Sequence, residues 1–185
     1  MLCFAAAWLS AESERWRLVH VTAGYTMVGL VGFRLIWGFV GTRYARFRSF
    51  ITGPAPVIEY VKSAIKKQPK HYVGHNPLGA IAVLLLLFLI MGLGVTGYVL
   101  YNDLSWFKAE EVHEVAANLM LLVVVIHICG VILSSWLHHE NLVRAMVTGY
   151  KLGVVKDGIR GSWVALGIII ILSYLLFWVY QFVFI

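Results

Sequence analysis

Two histidines fourteen positions apart, His113 and His127, stand in a run whose only other charged residue is the glutamate beside the first. At 100° per residue, fourteen residues of an α-helix return to within about 40° of the start and rise roughly 21 Å along the axis. One helix would therefore carry two imidazoles on one face, one near each surface of a bilayer. Ionisable groups at membrane depth are costly and usually functional, and neutral imidazole is a common metal ligand. We interpret each histidine as a ligand of a haem iron.

A third histidine, His20, lies about one turn into an apolar span at 18–40. Gly24 is one helical turn further along the same face, and Ala117 has the same relation to His113. Small residues of this kind let a flat ligand or another helix approach closely. We expect Gly24 and Ala117 to face a haem, and the alternative is that they serve helix packing alone.

Haem b held without a covalent bond needs two axial imidazoles that face each other across a gap, and donors for its propionates. His20 and His113 are predicted near the outer surface on helices of opposite direction, so the two can form such a pair. Two histidines leave the iron no open position, which favours electron transfer over oxygen chemistry. Arg34 is predicted at the inner depth of His127, where it can neutralise a haem propionate. A partner for His127 is not evident in the sequence.

The elements that must position these residues are membrane-spanning helices. The chain has 185 residues, of which 61% are hydrophobic and 13% charged, and its mean hydropathy is +0.82. This composition excludes a soluble domain and indicates an integral membrane protein. Windows of about 23 residues can cross a hydrocarbon layer of ~30 Å. Such windows occur at about 18–40, 78–100, 115–137 and 163–185.

The distribution of positive charge predicts the topology. The net charge of +6 is concentrated in two loops, so we read it as a positive-inside signal and expect no nucleic acid partner. The loops at 41–77 and 138–162 are therefore predicted to be cytoplasmic. This assignment requires the segment at 1–10 to count as a crossing, and it puts the C-terminus outside. The basic residues are Arg43, Arg46, Arg48, Lys62, Lys66, Lys67 and Lys70 in the first loop, and Arg144, Lys151, Lys156 and Arg160 in the second.

Other interpretations of membrane histidines predict different sequence features. Zinc would need additional Cys, His or carboxylate ligands clustered together, and none are clustered in the sequence. A transporter or proton relay would show repeated, broken helices and carboxylates at mid-depth, and the sequence has neither. A structural membrane subunit would use the histidines for packing and hydrogen bonds. The iron content per polypeptide separates this last alternative from a cytochrome.

Four motifs together resemble the bacterial cytochrome b561 family, which includes the nickel-hydrogenase cytochrome b subunits. The motifs are HVTAGY with the arginine at 20–34, GHNP at 74–77, HEVAANLMLLVVVIH at 113–127 and HHENLVRAM at 138–146. The resemblance covers about residues 1–151 and implies a four-helix bundle with two b haems that shuttles electrons between membrane quinone and a periplasmic partner. It also implies that His20 and His113 hold the outer haem and that His127 is one ligand of the inner haem.

The first helix departs from the family pattern. In the family this helix carries an aromatic–His–Trp motif near its cytoplasmic end, which supplies the second ligand of the inner haem, and this chain begins after that point. Either the true start lies upstream of Met1, or the protein is short and binds one haem. We favour the first alternative because half a transmembrane helix has no stable place in a bilayer.

The sequence thus predicts an all-α integral membrane bundle, with a four-helix haem-binding core whose first helix is truncated and a fifth, C-terminal transmembrane helix. The predicted core covers residues 1–151, with a partial helix at 1–10 and helices at about 18–40, 78–101 and 112–137, and residues 152–185 form an inner-face linker and the fifth helix.

We expect a b-type cytochrome of the bacterial cytoplasmic membrane that transfers electrons between quinone and an outer-face partner. That partner is expected to be a c-type cytochrome, a dehydrogenase or a hydrogenase subunit. The chain would be an electron-transfer subunit without substrate chemistry of its own, within a quinone-linked oxidoreductase or hydrogenase complex. Membrane lipid and a second copy in a homodimer complete the expected partners.

Overall fold

The computed structural model describes residues 1–66, 70–159 and 161–184. Over these ranges the chain contains seven α-helices and short 3-10 turns, and the described residues form no β-strand. The helices are α1 (Leu2–Ser10), α2 (Arg17–Val40), α3 (Pro54–Ile65), α4 (Pro77–Tyr101), α5 (Ala109–Leu137), α6 (Leu142–Thr148) and α7 (Val164–Phe184). The predicted all-α membrane fold class is confirmed. Three residues used in the predictions, Lys67, Arg160 and Ile185, lie outside the described ranges.

Four helices of the described chain are long and apolar enough to cross a membrane. They are α2 with the turn before it (Glu14–Val40), α4, α5 and α7. Their bounds lie close to the four hydropathy windows, so that prediction is confirmed. The helix α5 has 29 residues and begins before its predicted window, with Glu110 and Glu111 in its first turn. These carboxylates complement the positive end of the helix dipole, which explains the earlier start.

Asparagine side chains define where two helices begin. The Gly79 N–H donates to Asn76 Oδ1 at 2.7 Å, and Pro77 occupies the first position of α4. In the same way, the Arg144 N–H donates to Asn141 Oδ1 at 2.8 Å and starts α6. Asparagine is favoured at the N-cap and proline at the first helical position, so the sequence around GHNP specifies this boundary.

The chain folds as two compact units. The first comprises Met1–Arg34, Leu89–Leu119 and Gly161–Ile185, and the second comprises Leu35–Phe88 and Met120–Arg160. Within the first unit, a Cβ added at Gly94 of α4 would overlap Val28 of α2, and one added at Gly29 of α2 would overlap the Tyr174 ring of α7. Glycines therefore let α4 and α7 pack closely against α2. The division of the chain at residues 151 and 152 stays a prediction.

The second unit brings the two basic loops into contact. Lys151 Nζ donates to the Tyr72 carbonyl at 2.6 Å, and His138 Nε2 donates to the Lys70 carbonyl at 3.3 Å. Burial lowers the pKa of the Lys151 amine, and the nearby Glu140 carboxylate opposes that shift. The segment around residue 71 is thus held against the segment that follows α5.

Candidate cofactor site

His20 of α2 and His113 of α5 meet inside the first unit. Their ring centres are 6.2 Å apart and their ring planes are inclined at 58°. Both residues are partly buried. The structure therefore brings together the two histidines that the sequence analysis paired.

The end of α1 fixes the tautomer of His20. Ala7 is one of the last four residues of α1, whose carbonyls lack a regular intrahelical partner, and the N–H of Ala11 bonds to Trp8 instead. The Ala7 carbonyl accepts a hydrogen bond from His20 Nδ1 at 2.8 Å. Because a carbonyl can only accept, Nδ1 carries the proton and Nε2 keeps the lone pair that binds a metal.

Thr96 of α4 has the same effect on His113. Its Oγ1 lies 2.8 Å from His113 Nδ1 and 2.9 Å from the Gly92 carbonyl. The hydroxyl has one proton and the carbonyl can only accept, so both bonds form when Thr96 donates to Gly92 and accepts from His113. His113 Nε2 then keeps its lone pair as well.

The paired imidazoles fit an iron between them. Imidazole nitrogens bind metals at about 2 Å, which puts the centres of two opposed rings roughly 6 Å apart. The observed separation of 6.2 Å is of this size. A Cβ added at Gly24, one turn from His20, would meet no other described part of the chain within 4 Å, so this face of α2 adjoins open space. Ala117, one turn after His113, is partly buried. Donor type, tautomer and space all suit a haem with two axial histidines.

Gly97 leaves room for the His113 ring. A Cβ at this position would lie 3.2 Å from His113 Cε1, which is tighter than an ordinary van der Waals contact. Neither Thr96 nor Gly97 was among the site residues predicted from the sequence, because neither side chain ionises. The available signal was a Thr-Gly pair in an otherwise apolar helix.

His127 of α5 lies in the second unit, on the wall of a cavity of about 1030 Å³. This volume is at the upper end of small-molecule sites. His75 of the GHNP motif also lines the cavity, as do Tyr60, Asn76 and Ser134. Tyr60 and Ser134 are buried, and their hydroxyl oxygens are 3.3 Å apart. The cavity therefore combines apolar walls with imidazole, hydroxyl and amide groups.

Arg34 lies on α2 in the first unit, and its Nη1 atom is buried. A cation inside a transmembrane helix is unusual and typically functional. Its assignment to a haem propionate near His127 stays a prediction.

No zinc-type cluster accompanies these residues in the described chain. Over those residues, no group of three or more His, Cys, Asp or Glu side chains is placed to hold a metal ion. A protein zinc site needs at least three such ligands. A haem supplies its own four nitrogens, so two histidines are enough for it.

Apolar membrane helices that enclose a pair of metal-binding imidazoles are the features of a membrane electron-transfer cytochrome. The chain belongs to the prokaryotic cytochrome b561 family, whose model matches residues 1–149. The resemblance read from the motifs is confirmed. The chain is therefore an integral membrane b-type cytochrome, with b-type haem as its cofactor and electron transfer as its activity.

Curated relatives have related names. The chain is 26% identical to the probable Ni/Fe-hydrogenase B-type cytochrome subunit of Azotobacter vinelandii, over 74% of this chain and 68% of the relative. It is 24% identical to the protein of the same name in Rhizobium leguminosarum bv. viciae, with the same shares. Identity to the probable Ni/Fe-hydrogenase 1 B-type cytochrome subunit of Escherichia coli K12 is 23%, over 73% of this chain and 69% of the relative. No solved structure matches the chain.

Proposed function

We propose that this cytochrome carries electrons between the quinone pool and an outer-face redox subunit through a haem held by His20 and His113. The observation that carries the proposal is the pair of imidazoles with ring centres 6.2 Å apart. Both rings are held by hydrogen bonds at Nδ1, which leaves Nε2 of each for iron.

Bound haem b supplies a one-electron redox centre at this position. His20 and His113 would hold the haem iron through their Nε2 atoms, which would leave the iron no open position for oxygen. The Ala7 carbonyl and the Thr96 hydroxyl fix the orientations of the two rings through hydrogen bonds at Nδ1.

A second haem is assigned to His127, on the cavity wall of the second unit. The cavity volume of about 1030 Å³ supports this assignment, and Arg34 is the proposed partner of a propionate. His75 lines the same cavity and is a candidate for the second protein ligand of this haem. The haem content of a His75→Ala variant tests this candidate. Loss of one haem would assign the ligand to His75, and full haem content would exclude His75.

We assign the quinone headgroup to the same cavity. A quinone offers two carbonyl oxygens, which need hydrogen-bond donors in an apolar pocket. The cavity wall carries the Tyr60 hydroxyl, and Asn76 Nδ2 lies 3.4 Å from Ser134 Oγ. His127 lines the same cavity as these groups.

The proposed outer-face partner is a hydrogenase subunit, as the names of the curated relatives suggest. The loop between α4 and α5 carries exposed aromatic side chains, with Trp106 46% and Phe107 84% exposed. Aromatic residues are enriched where proteins bind each other. A c-type cytochrome or a dehydrogenase subunit recovered on this loop would replace the hydrogenase as the partner. The membrane is proposed to be the bacterial cytoplasmic membrane, with the loops at 41–77 and 138–162 inside.

The ligand assignment is tested with His20→Ala and His113→Ala, purified in detergent and measured for haem and iron per polypeptide. Each variant should lose the same single haem, and the double variant should lose no more than either alone. His139→Asn is the matched control, because this exposed residue has a φ of 50° that asparagine tolerates. Membranes without a reducible b-type absorption, or single variants with full haem content, would refute the assignment.

A further inference from the structure

We infer that Thr96 is a positioning residue that sets the reduction potential of the haem held by His113. The inference rests on the proposed ligation by His20 and His113. Thr96 is 2% exposed, and its Oγ1 lies 2.8 Å from His113 Nδ1. It belongs to α4, a helix that carries neither of the two ligands.

The direction of this hydrogen bond follows from the helix itself. Thr96 Oγ1 lies 2.9 Å from the Gly92 carbonyl and 3.2 Å from the Leu93 carbonyl, both in the preceding turn. Its single proton goes to one of these carbonyls, since they can only accept. A lone pair of Oγ1 is then left for His113 Nδ1–H, whichever carbonyl is chosen.

An acceptor at Nδ1–H makes the opposite ring nitrogen a stronger electron donor. A stronger donor stabilises ferric iron more than ferrous iron, so the hydrogen bond lowers the reduction potential. His20 has a backbone carbonyl in the corresponding place, which no side-chain substitution removes. Of these two acceptors, Thr96 Oγ1 is therefore the one that a side-chain substitution can remove.

The test compares Thr96→Val, which has nearly the same shape without the hydroxyl, with Thr96→Ser, which keeps it. The full-length, haem-loaded protein is titrated by reductive potentiometry at the b-type absorption band, and its low-spin signal is recorded by electron paramagnetic resonance. Thr96→Val should raise the midpoint potential and shift the g values while haem content is retained. Thr96→Ser should restore both toward the wild-type values.

Thr26→Val is the matched control. Thr26 is also a buried threonine of the first unit, 4% exposed, and its hydroxyl donates to the Thr22 carbonyl. The partners of this hydroxyl are the Thr22 carbonyl and Trp178 Nε1, so loss of the hydroxyl should leave the potential unchanged. Should valine at position 96 crowd the ring and expel haem, Thr96→Ala and Thr96→Ser provide the same comparison without the added methyl.

Two results would overturn the inference. One is a wild-type potential in the hydroxyl-free variant that retains haem, and the other is an equal shift in Thr26→Val. Either result would refute the role of Thr96 without contradicting the proposed ligation by His20 and His113. Full haem content in His113→Ala would instead refute the proposed function.

Discussion

The His113 ring packs so closely against Gly97 that a methyl group at position 97 would crowd it. A Cβ at Gly97 would lie 3.2 Å from the ring's Cε1 atom and 3.7 Å from Nδ1. The ring would have to move by a few tenths of an ångström to accommodate it. Such a movement would lengthen the bond of 2.8 Å to Thr96. Because Gly97 has no side chain, the His113 ring can keep its position and its hydrogen bond to Thr96.

Gly97→Ala should lower haem occupancy or, where haem is retained, change its optical and paramagnetic spectra. Gly92→Ala on the same helix is the control, because a Cβ there would meet no other described residue within 4 Å. Alanine favours a helix over glycine by about 1 kcal/mol, so the control should be as stable as wild type or more so, with normal haem. The measurement is haem per polypeptide together with thermal stability. Identical haem content and spectra in the two variants would refute this role of Gly97.

At this scale, the histidines could be predicted and their partners could not. An imidazole in an apolar run stands out in the sequence because it ionises. Thr96 does not stand out in this way, since threonine hydroxyls in membrane helices commonly donate to a backbone carbonyl of their own helix. The carbonyl of Ala7 has no signature in the sequence at all, because every residue carries one. It became an acceptor only because α1 ends where it does.

Among the elements, α7 is attached to the helix that carries His20. Trp178 Nε1 donates to Thr26 Oγ1 at 2.9 Å, and Thr26 in turn donates to the Thr22 carbonyl at 2.7 Å. The sequence predicted this span only as a fifth transmembrane helix, without a role. These bonds give it a packing role against α2 within the first unit.

Trp178→Phe should weaken that attachment while leaving haem content near normal at low temperature. A hydrogen bond between membrane helices contributes about 0.6 kcal/mol on average, so the expected loss of stability is of that order plus the lost packing of the larger ring. Haem release on heating or in increasing denaturant measures this loss of stability.

In a double-mutant cycle with Thr26→Val, the two effects should be non-additive, because both variants remove the same bond between Trp178 and Thr26. Trp136→Phe, at a tryptophan that is 64% exposed, is the control. Additive effects would show that the bond contributes nothing.

Element boundaries were predictable where side chains specify them, as at Asn76 and Pro77, and where apolar runs are long. The pairs of helices that pack together were not predictable, because hydropathy indicates only that a helix face avoids water. The contacts of Gly94 with α2 and of Gly29 with α7 depend on the shapes of Val28 and Tyr174 across the interface. A single sequence contains no information on such pairs until a structure aligns them.

For the whole molecule, charge and structure bear on the same question of sidedness. Eleven of the 15 lysines and arginines lie in the loops at 41–77 and 138–162. The positive-inside rule assigns both loops to the cytoplasm. The bonds from Lys151 to Tyr72 and from His138 to Lys70 bring the two loops together, so both loops should lie on the same side of the membrane, whichever side that is.

Cysteine labelling in oriented vesicles tests the topology. In a background of Cys3→Ala and Cys129→Ala, the variants Ser49→Cys and Val147→Cys each introduce one thiol into a basic loop. Both should react with a membrane-impermeant maleimide only in inside-out vesicles. Ser105→Cys, in the loop between α4 and α5, should show the opposite pattern and react only in right-side-out vesicles. A membrane protein of known topology serves as the control for vesicle orientation. Because the basic loops touch, labelling of Ser49→Cys and Val147→Cys from opposite sides would contradict both the charge rule and the contacts. Labelling of both from the outside would show that the proposed sidedness of the loops is reversed.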